Sequence, residues 1–318
     1  RIANTGAIPN ISGTVNVSAG AFFDIATSVS INGFTGAGTT SINTSQTLTI
    51  GVNSSASAQN IEYSGVITGA GNLYSYANRT LSGNNSYTGT TTVDNGTVIV
   101  SATGDINESS AISITANGTL NVDGGGNAAI GDTVAITNAG NFILTGSDET
   151  IGSITGAGNI NLNNNTLTTG SDGTSTTVSG VISGPGGRLT KEGAGTFTLS
   201  GANTYTGATT INAGTLQAAN ASALGKNSAV TVNGGSLDLT TDLSIGSLAG
   251  AGNVTLNANT LTTGSNNSST TYSGVLSGNG ALIKQGTGTT TLSGTNTYTG
   301  GTTINDGAIR IGAADNLG

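Results

Sequence analysis

Short apolar runs recur along the whole chain, with their apolar residues two positions apart. Val230-Thr-Val232, Phe197-Thr-Leu199 and Leu237-Asp-Leu239 are three examples. Because successive side chains of a strand point to opposite faces, each run places its apolar residues on one face. Gly and Asn bound these runs and favour tight turns, while no long window combines the helical period with good helix formers. The pattern therefore predicts an all-β protein built from short strands.

The chain repeats itself at two levels. A glycine-rich motif occurs at 81–98, 199–216 and 292–309, and the block at 245–264 resembles that at 151–170 with an offset of 94 residues. Strands this short need neighbours to bury their apolar face, and stacked coils provide them. The repeats therefore predict a right-handed parallel β-helix, with coils of roughly 23 residues and roughly 13–14 coils in all.

The repeats also predict the domain organisation. We expect residues 1–318 to form a single continuous β-helix segment of a longer array. The repeat units are then roughly 1–97, 98–215 and 216–309, and 310–318 begins a further unit. The second unit is longer than the third, which predicts one inserted coil near residues 112–144.

Composition excludes several classes of function. The chain has no Cys and no His, which removes disulfides, thiol catalysis and the commonest general base. Its net charge of −8 disfavours a nucleic-acid partner, since phosphate binding needs clustered Lys and Arg. No apolar run is long enough to span a bilayer as a helix, so we expect no direct membrane insertion by this segment. We predict no cofactor and no metal site.

The stretch at 187–216, GRLTKEGAGTFTLSGANTYTGATTINAGTL, closely resembles the passenger-associated transport repeat of bacterial autotransporters. The copy at 280–309 resembles it nearly as well, whereas the copy at 72–98 is degenerate and lacks the Lys-Xaa-Gly-Xaa-Gly corner. The resemblance implies a β-helical passenger on the surface of a Gram-negative bacterium, secreted through an outer-membrane barrel that this chain does not contain. It transfers no catalytic residue, because the repeat has none.

Three positions in each copy of the motif are predicted to be structural. In each copy we expect the tyrosine ring to pack over the coil with its hydroxyl at the surface. The alternative interpretation is an aromatic platform for carbohydrate. The nine positions are Tyr87, Gly89, Gly96, Tyr205, Gly207, Gly214, Tyr298, Gly300 and Gly307.

Other candidate sites are weak. The acidic residues are scattered, and we interpret them as solvated turn residues. The stretch at 121–132 hints at a calcium-binding nonapeptide, but that motif needs tandem copies, so a turn is favoured. Thr-rich stretches suggest an ice-binding face, which needs a Thr row on every coil. In the sequence these stretches recur about every fourth coil.

Three hypotheses of function follow. The first is a non-enzymatic surface passenger that acts as a β-helical stalk or adhesin scaffold, with glycans or proteins of host or neighbouring cells as partners. The second is a self-associating protein of an extracellular fibre or matrix, for which copies of the chain are the partners. The third, a polysaccharide-active β-helix enzyme, is disfavoured because no catalytic cluster is evident. Recognition is expected where the repeat copies differ.

Overall fold

A computed structural model describes residues 10–51, 60–124, 129–225, 227–313 and 316–318. Within these ranges the chain has no α-helix, and its strands pair in parallel to form a β-solenoid of about 14 turns. This confirms the predicted fold class and number of coils. The first nine residues, which open the predicted unit 1–97, lie outside the described ranges, as do residues 314 and 315 of the unit 310–318.

The chain divides into two compact units, Arg1–Asn159 and Ile160–Gly318. The strands that begin in the first unit are β1 (Asn10–Val17), β2 (Phe22–Ile25), β3 (Val29–Gly36), β4 (Thr39–Ile42), β5 (Thr47–Ile50), β6 (Ile61–Tyr63), β7 (Val66–Thr68), β8 (Asn72–Ser75), β9 (Arg79–Leu81), β10 (Thr91–Val100), β11 (Ala111–Val122), β12 (Ala135–Asn138), β13 (Asn141–Leu144), β14 (Glu149–Ile151), β15 (Ser153–Thr155) and β16 (Asn159–Asn161).

The second unit continues the same architecture. Its strands are β17 (Thr166–Thr169), β18 (Thr176–Val178), β19 (Ile182–Ser183), β20 (Arg188–Lys191), β21 (Thr196–Leu199), β22 (Thr209–Ile211), β23 (Thr215–Ala218), β24 (Ala229–Val232), β25 (Ser236–Leu239), β26 (Leu243–Ile245), β27 (Ser247–Gly250), β28 (Asn253–Thr255), β29 (Thr260–Thr263), β30 (Thr270–Tyr272), β31 (Leu276–Ser277), β32 (Ala281–Lys284), β33 (Thr289–Leu292), β34 (Thr302–Ile304) and β35 (Ala308–Ile311).

Alternation within each strand builds the core, as the sequence predicts. In β21 the apolar residues Phe197 and Leu199 are buried, while the two threonines between and before them are half-exposed. The same alternation holds in β25, where Leu237 and Leu239 are buried. Parallel pairing then stacks like on like, for example Phe197 beside Leu216 and Leu216 beside Leu237. Each unit therefore buries a continuous apolar column inside its turns.

Three sheets surround the core of the second unit. Face A contains β17, β20, β22, β24, β27, β30, β33 and β35, face B contains β18, β21, β23, β25, β28 and β31, and face C contains β26, β29, β32 and β34. Successive partners on face A, from Leu167 to Leu248, are 18 to 22 residues apart. The turns are therefore shorter than the predicted 23 residues.

Because of this turn length, one sequence repeat does not correspond to a whole number of structural turns. Four turns after β20, face A holds β30. The strand equivalent to β20 by sequence is β32, 93 residues further along, and it lies on face C. One sequence repeat of the second unit thus spans four turns plus two sides, from face A through face B to face C. Equivalent positions of its two complete motif copies therefore face different sides.

The stretch in which an inserted coil is predicted lies in the first unit. The long strand β10 pairs with β8 through Thr91–Val93 and with β9 through Val98–Val100. On its other edge β10 pairs with β11. The stretch at 112–144 forms most of β11 together with β12 and β13, which both pair with β11. The described strands of this stretch therefore form ordinary parallel pairs, and the inserted coil stays a prediction.

Candidate functional site

The three motif tyrosines are core residues. Tyr87, Tyr205 and Tyr298 are at most 1 % exposed. Each hydroxyl pairs with the threonine hydroxyl four residues later, at 2.5 Å for Thr91 and 2.7 Å for Thr209. The Tyr298 hydroxyl pairs with Thr302 in the same way. The expectation of a surface hydroxyl was therefore wrong, and buried rings cannot act as a carbohydrate platform.

A serine from the next turn extends this hydrogen-bond chain. Thr91 Oγ1 pairs with Ser109 Oγ at 2.7 Å, and Thr209 Oγ1 pairs with Ser228 Oγ at 3.1 Å. Burial raises the pKa of Tyr87 to about 12 and that of Tyr205 further still. The phenols therefore stay neutral at physiological pH. The chain of tyrosine, threonine and serine hydroxyls links neighbouring turns.

The motif glycines occupy crowded or left-handed backbone. A Cβ at Gly89 would lie 2.1 Å from the carbonyl oxygen of Gly71, and a Cβ at Gly207 would lie 2.3 Å from that of Gly187. Both contacts are far closer than side chains tolerate. The remaining motif glycines repeat these two situations: Gly300 is crowded by Gly280, and Gly96, Gly214 and Gly307 have φ of 76°, 61° and 67°.

A buried lysine closes the corner of both complete motif copies. Lys191 and Lys284 are fully buried. Lys191 Nζ donates to the carbonyl oxygens of Glu192, Gly193 and Ala213. Lys284 Nζ donates to the equivalent oxygens of Gln285, Gly286 and Asp306. Burial lowers the pKa of both amines, and each holds one corner to the next turn.

The degenerate copy uses an arginine. Arg79 is 1 % exposed, and its guanidinium donates to the carbonyl oxygens of Asn78 and Asn32, each at 2.6 Å. Its Nε has no hydrogen-bond partner among the described residues. Burial lowers the pKa of Arg79 to about 10. A buried cation bonded to backbone oxygens is thus common to all three copies.

One carboxyl group lies in the core of the first unit. Glu149 is fully buried, and its Oε1 accepts a hydrogen bond from the Ile130 amide at 3.0 Å. Its Oε2 has no partner in the described part of the chain, and burial raises the pKa of Glu149 to about 8. The equivalent residues of the other copies are Val29 and Leu243, both buried. An alignment of the copies shows a carboxylate at a position that is apolar in the other two, but the sequence analysis did not identify it.

The candidate catalytic and metal chemistry gains no support. Among the described residues no group of three or more His, Cys, Asp or Glu could hold a metal ion. The candidate nonapeptide at 121–132 includes residues 125–128, which lie outside the described ranges. The interpretation of the scattered acidic residues as solvated turn residues is wrong for Glu149, which is fully buried. The acidic residues so interpreted are Asp94, Asp105, Glu108, Asp123, Asp132, Asp148, Glu149, Asp172, Asp238 and Asp242.

Threonines form a row that sequence analysis missed. On face A, Thr168, Thr190, Thr210 and Thr231 are consecutive partners with half-exposed side chains. They come from four different places in the sequence repeat, because the turn and the repeat differ in length. The sequence analysis considered only Thr-rich stretches, which recur about every fourth coil, and so did not detect a row built from single threonines. No second row of threonines runs beside it at the positions two residues earlier, because Thr166 pairs there with Arg188.

The comparisons with known proteins agree with the repeat analysis. The model of the passenger-associated transport repeat matches residues 80–100, 189–218 and 282–311. The chain is 36 % identical over 294 residues to the adhesin BmaC autotransporter of Brucella suis biovar 1 (strain 1330). That alignment covers 88 % of this chain and 8 % of the relative. No solved structure matches the chain.

The structure is consistent with these matches. Each matched segment contains the buried tyrosine or the buried cation described above, or both. No helix among the described residues has the length and hydrophobicity needed to span a bilayer. The three repeats and the similar adhesin together identify the chain as an autotransporter passenger segment that carries passenger-associated transport repeats.

Proposed function

We propose that this segment is a non-enzymatic, surface-displayed scaffold that presents an adhesive surface. One observation carries the proposal: the residues of the recurring motif serve structural contacts. Its tyrosine and threonine hydroxyls are hydrogen-bonded in the core, its glycines lie where a Cβ would clash, and its lysines donate to backbone carbonyl oxygens. The chemistry that the copies share therefore stabilises turns and leaves the outer strand faces free to differ between copies. The name of the similar Brucella protein, an adhesin, supports the same role.

Localisation and organisation belong to the proposal. Display at the surface of a Gram-negative cell follows from the passenger type, with anchoring through an outer-membrane barrel outside this chain. The repeat units 1–97, 98–215 and 216–309, followed by the start of another at 310–318, would then belong to one longer array. Partners would be glycans or proteins on other cells.

An in-frame deletion tests the proposal. Bacteria that make the full-length protein are compared with bacteria in which residues 1–318 have been removed, after antibody labelling confirms equal surface display. We expect the deletion to reduce attachment to host cells. Unchanged attachment at equal display would contradict the adhesive role.

Self-association is the second candidate, favoured by a charged fraction of only 7 %, since low charge permits close packing of copies. Sedimentation of the purified chain separates the two. The scaffold proposal predicts monomers over a wide concentration range. Ordered, concentration-dependent polymers would instead favour the fibre.

A further inference from the structure

Two tyrosines and an aspartate meet on the outer surface of the first unit. Tyr74 lies in β8, Asp94 in β10 and Thr115 in β11, and Tyr76 follows β8 directly. Tyr76 is 38 % exposed, one of the few large apolar side chains that solvent reaches in the described structure. Tyr74, Asp94 and Thr115 are half-buried. We call these four residues the outer tyrosine cluster.

Hydrogen bonds hold the outer tyrosine cluster in one arrangement. The Tyr74 hydroxyl donates to Asp94 Oδ2. The Thr115 hydroxyl lies 2.8 Å from Asp94 Oδ1 and 2.5 Å from the Asp94 carbonyl oxygen. Tyr74 therefore donates to one carboxylate oxygen, and the single Thr115 hydroxyl hydrogen is shared between the other carboxylate oxygen and the Asp94 carbonyl oxygen. Burial and the neighbouring carboxylate raise the pKa of Tyr74 to about 12, so this donor persists across the physiological range.

The position of Asp94 determines how the Tyr74 ring lies. Tyr74 pairs across the sheet with Thr92, two residues before Asp94. Diagonal neighbours in a sheet lie about 7–8 Å apart, so the hydroxyl reaches Asp94 only if the ring extends along the sheet surface.

Free hydroxyl groups flank this ring. Thr49, Tyr74, Thr92 and Ser113 are consecutive partners on β5, β8, β10 and β11. The side chains of Thr49, Thr92 and Ser113 point outward and half-exposed, and none makes a side-chain hydrogen bond in the described structure. Strand spacing places them about 4.8 Å apart. The ring therefore sits in a row of unused donors and acceptors.

The fold does not require this cluster. In the second unit the equivalent column holds Glu192, Asn212 and Asn233, joined by amide hydrogen bonds of 2.6 Å and 2.8 Å. Thr190 stands where the first unit has Tyr74. The same turns thus form with no aromatic residue. The two tyrosines and strand β11 are features in which the copies differ.

We propose that the outer tyrosine cluster binds a neutral oligosaccharide. Aromatic faces pack against the C–H face of a sugar ring, and nearby hydroxyl groups exchange hydrogen bonds with sugar hydroxyls. An anionic ligand is disfavoured because the only charged group in the cluster is the Asp94 carboxylate, and a cationic ligand is the alternative that the oligolysine probe tests. The inference rests on the proposed adhesive function and names its ligand class.

Binding by the purified chain tests this inference. The chain is screened against an array of neutral glycans, with oligogalacturonate as the anionic probe and oligolysine as the cationic probe. Affinities for the neutral glycans that bind are then measured by calorimetry. Tyr76→Ala and Asp94→Ala are expected to weaken binding roughly tenfold or more, because the first removes an aromatic contact and the second removes the acceptor that holds the Tyr74 hydroxyl. Glu192→Ala, at the equivalent position of Tyr76, is the matched control and should bind like the parent chain.

Each outcome supports or overturns the inference. Retention of neutral-glycan binding only when Tyr76 and Asp94 are intact supports it. Binding of no neutral glycan, binding of oligolysine alone, or equal binding by Tyr76→Ala and the parent chain overturns it. Circular dichroism of each variant confirms the fold. Attachment of intact bacteria is scored separately, so a failed glycan screen leaves the deletion test of adhesion independent.

Discussion

At the scale of the residue, polar side chains inside these turns form hydrogen bonds that hold successive turns together. The motif Tyr-Thr-Gly-Xaa-Thr places a phenol and a threonine four residues apart, and the structure joins their hydroxyls in the core. Buried polar groups are costly without partners. The serine of the next turn completes the network, which explains why the motif is polar and yet buried.

Removal of one phenol hydroxyl tests this role. Tyr205→Phe deletes the 2.7 Å contact with Thr209 and leaves that hydroxyl bonded to Ser228. We expect the free energy of unfolding to fall by about 1 kcal/mol, measured by urea titration. Tyr76→Phe is the control, because that side chain is partly exposed. Equal stability of both variants would contradict a fastening role for the buried hydroxyl.

Glu149 places a carboxyl group in the core. Its folded-state pKa of about 8 exceeds the ordinary value of 4.5, so the folded state retains a proton that the unfolded chain has released. Stability therefore falls as pH rises from about 4.5 to about 8, and the loss persists above that range. At high pH the cost is about 3–5 kcal/mol.

Replacement by the residue of the equivalent position removes this dependence. Glu149→Leu, which copies Leu243, is expected to raise the melting temperature, and to raise it more at pH 9 than at pH 5. Glu108→Leu serves as the control at an exposed carboxylate. A gain for Glu149→Leu that is the same at both pH values would contradict the assigned pKa.

At the scale of the element, alternation was enough to predict the strands but not their faces. In runs such as Phe197-Thr-Leu199 apolar and polar residues alternate, so the burial of the apolar ones could be predicted from the sequence. Face assignment depends on turn length, and turns of 18 to 22 residues do not divide the 94-residue repeat evenly. The threonine row on face A was missed for this reason.

The hydrogen-bond partners of buried polar side chains were equally hard to predict from the sequence. A lysine bonded to three carbonyl oxygens requires corners from two turns at once. The sequence shows only one of those corners beside Lys191. The same limit hid the tyrosine hydroxyls, whose serine partners come one turn later.

Corner glycines give the sharpest element-level prediction. Gly89→Ala would bring a Cβ to 2.1 Å from the Gly71 carbonyl oxygen on the preceding turn. Because the Cβ would meet a backbone atom, which cannot rotate away as a flexible side chain can, we expect a loss of about 1–3 kcal/mol or more. Gly13→Ala is the control, since its added Cβ meets nothing within 4 Å. Comparable denaturation midpoints for the two variants would argue against the stacked corners.

At the scale of the whole molecule, the mismatch between repeat and turn has a functional consequence. In the second unit, equivalent motif positions such as Lys191 and Lys284 lie on faces A and C. The motif therefore cannot generate one repeated binding surface along a single face. It supplies stacking, and the outer faces carry whatever differs between copies, as the outer tyrosine cluster does in the first unit.

Competition is the measurement that addresses the central claim most directly. Purified, folded chain is added to bacteria that display the full-length protein, and their attachment to host cells is counted as its concentration rises. An adhesive surface within this segment predicts dose-dependent inhibition, and heat-unfolded chain should have no effect. Attachment that stays constant up to saturating concentrations of the folded chain would contradict the claim.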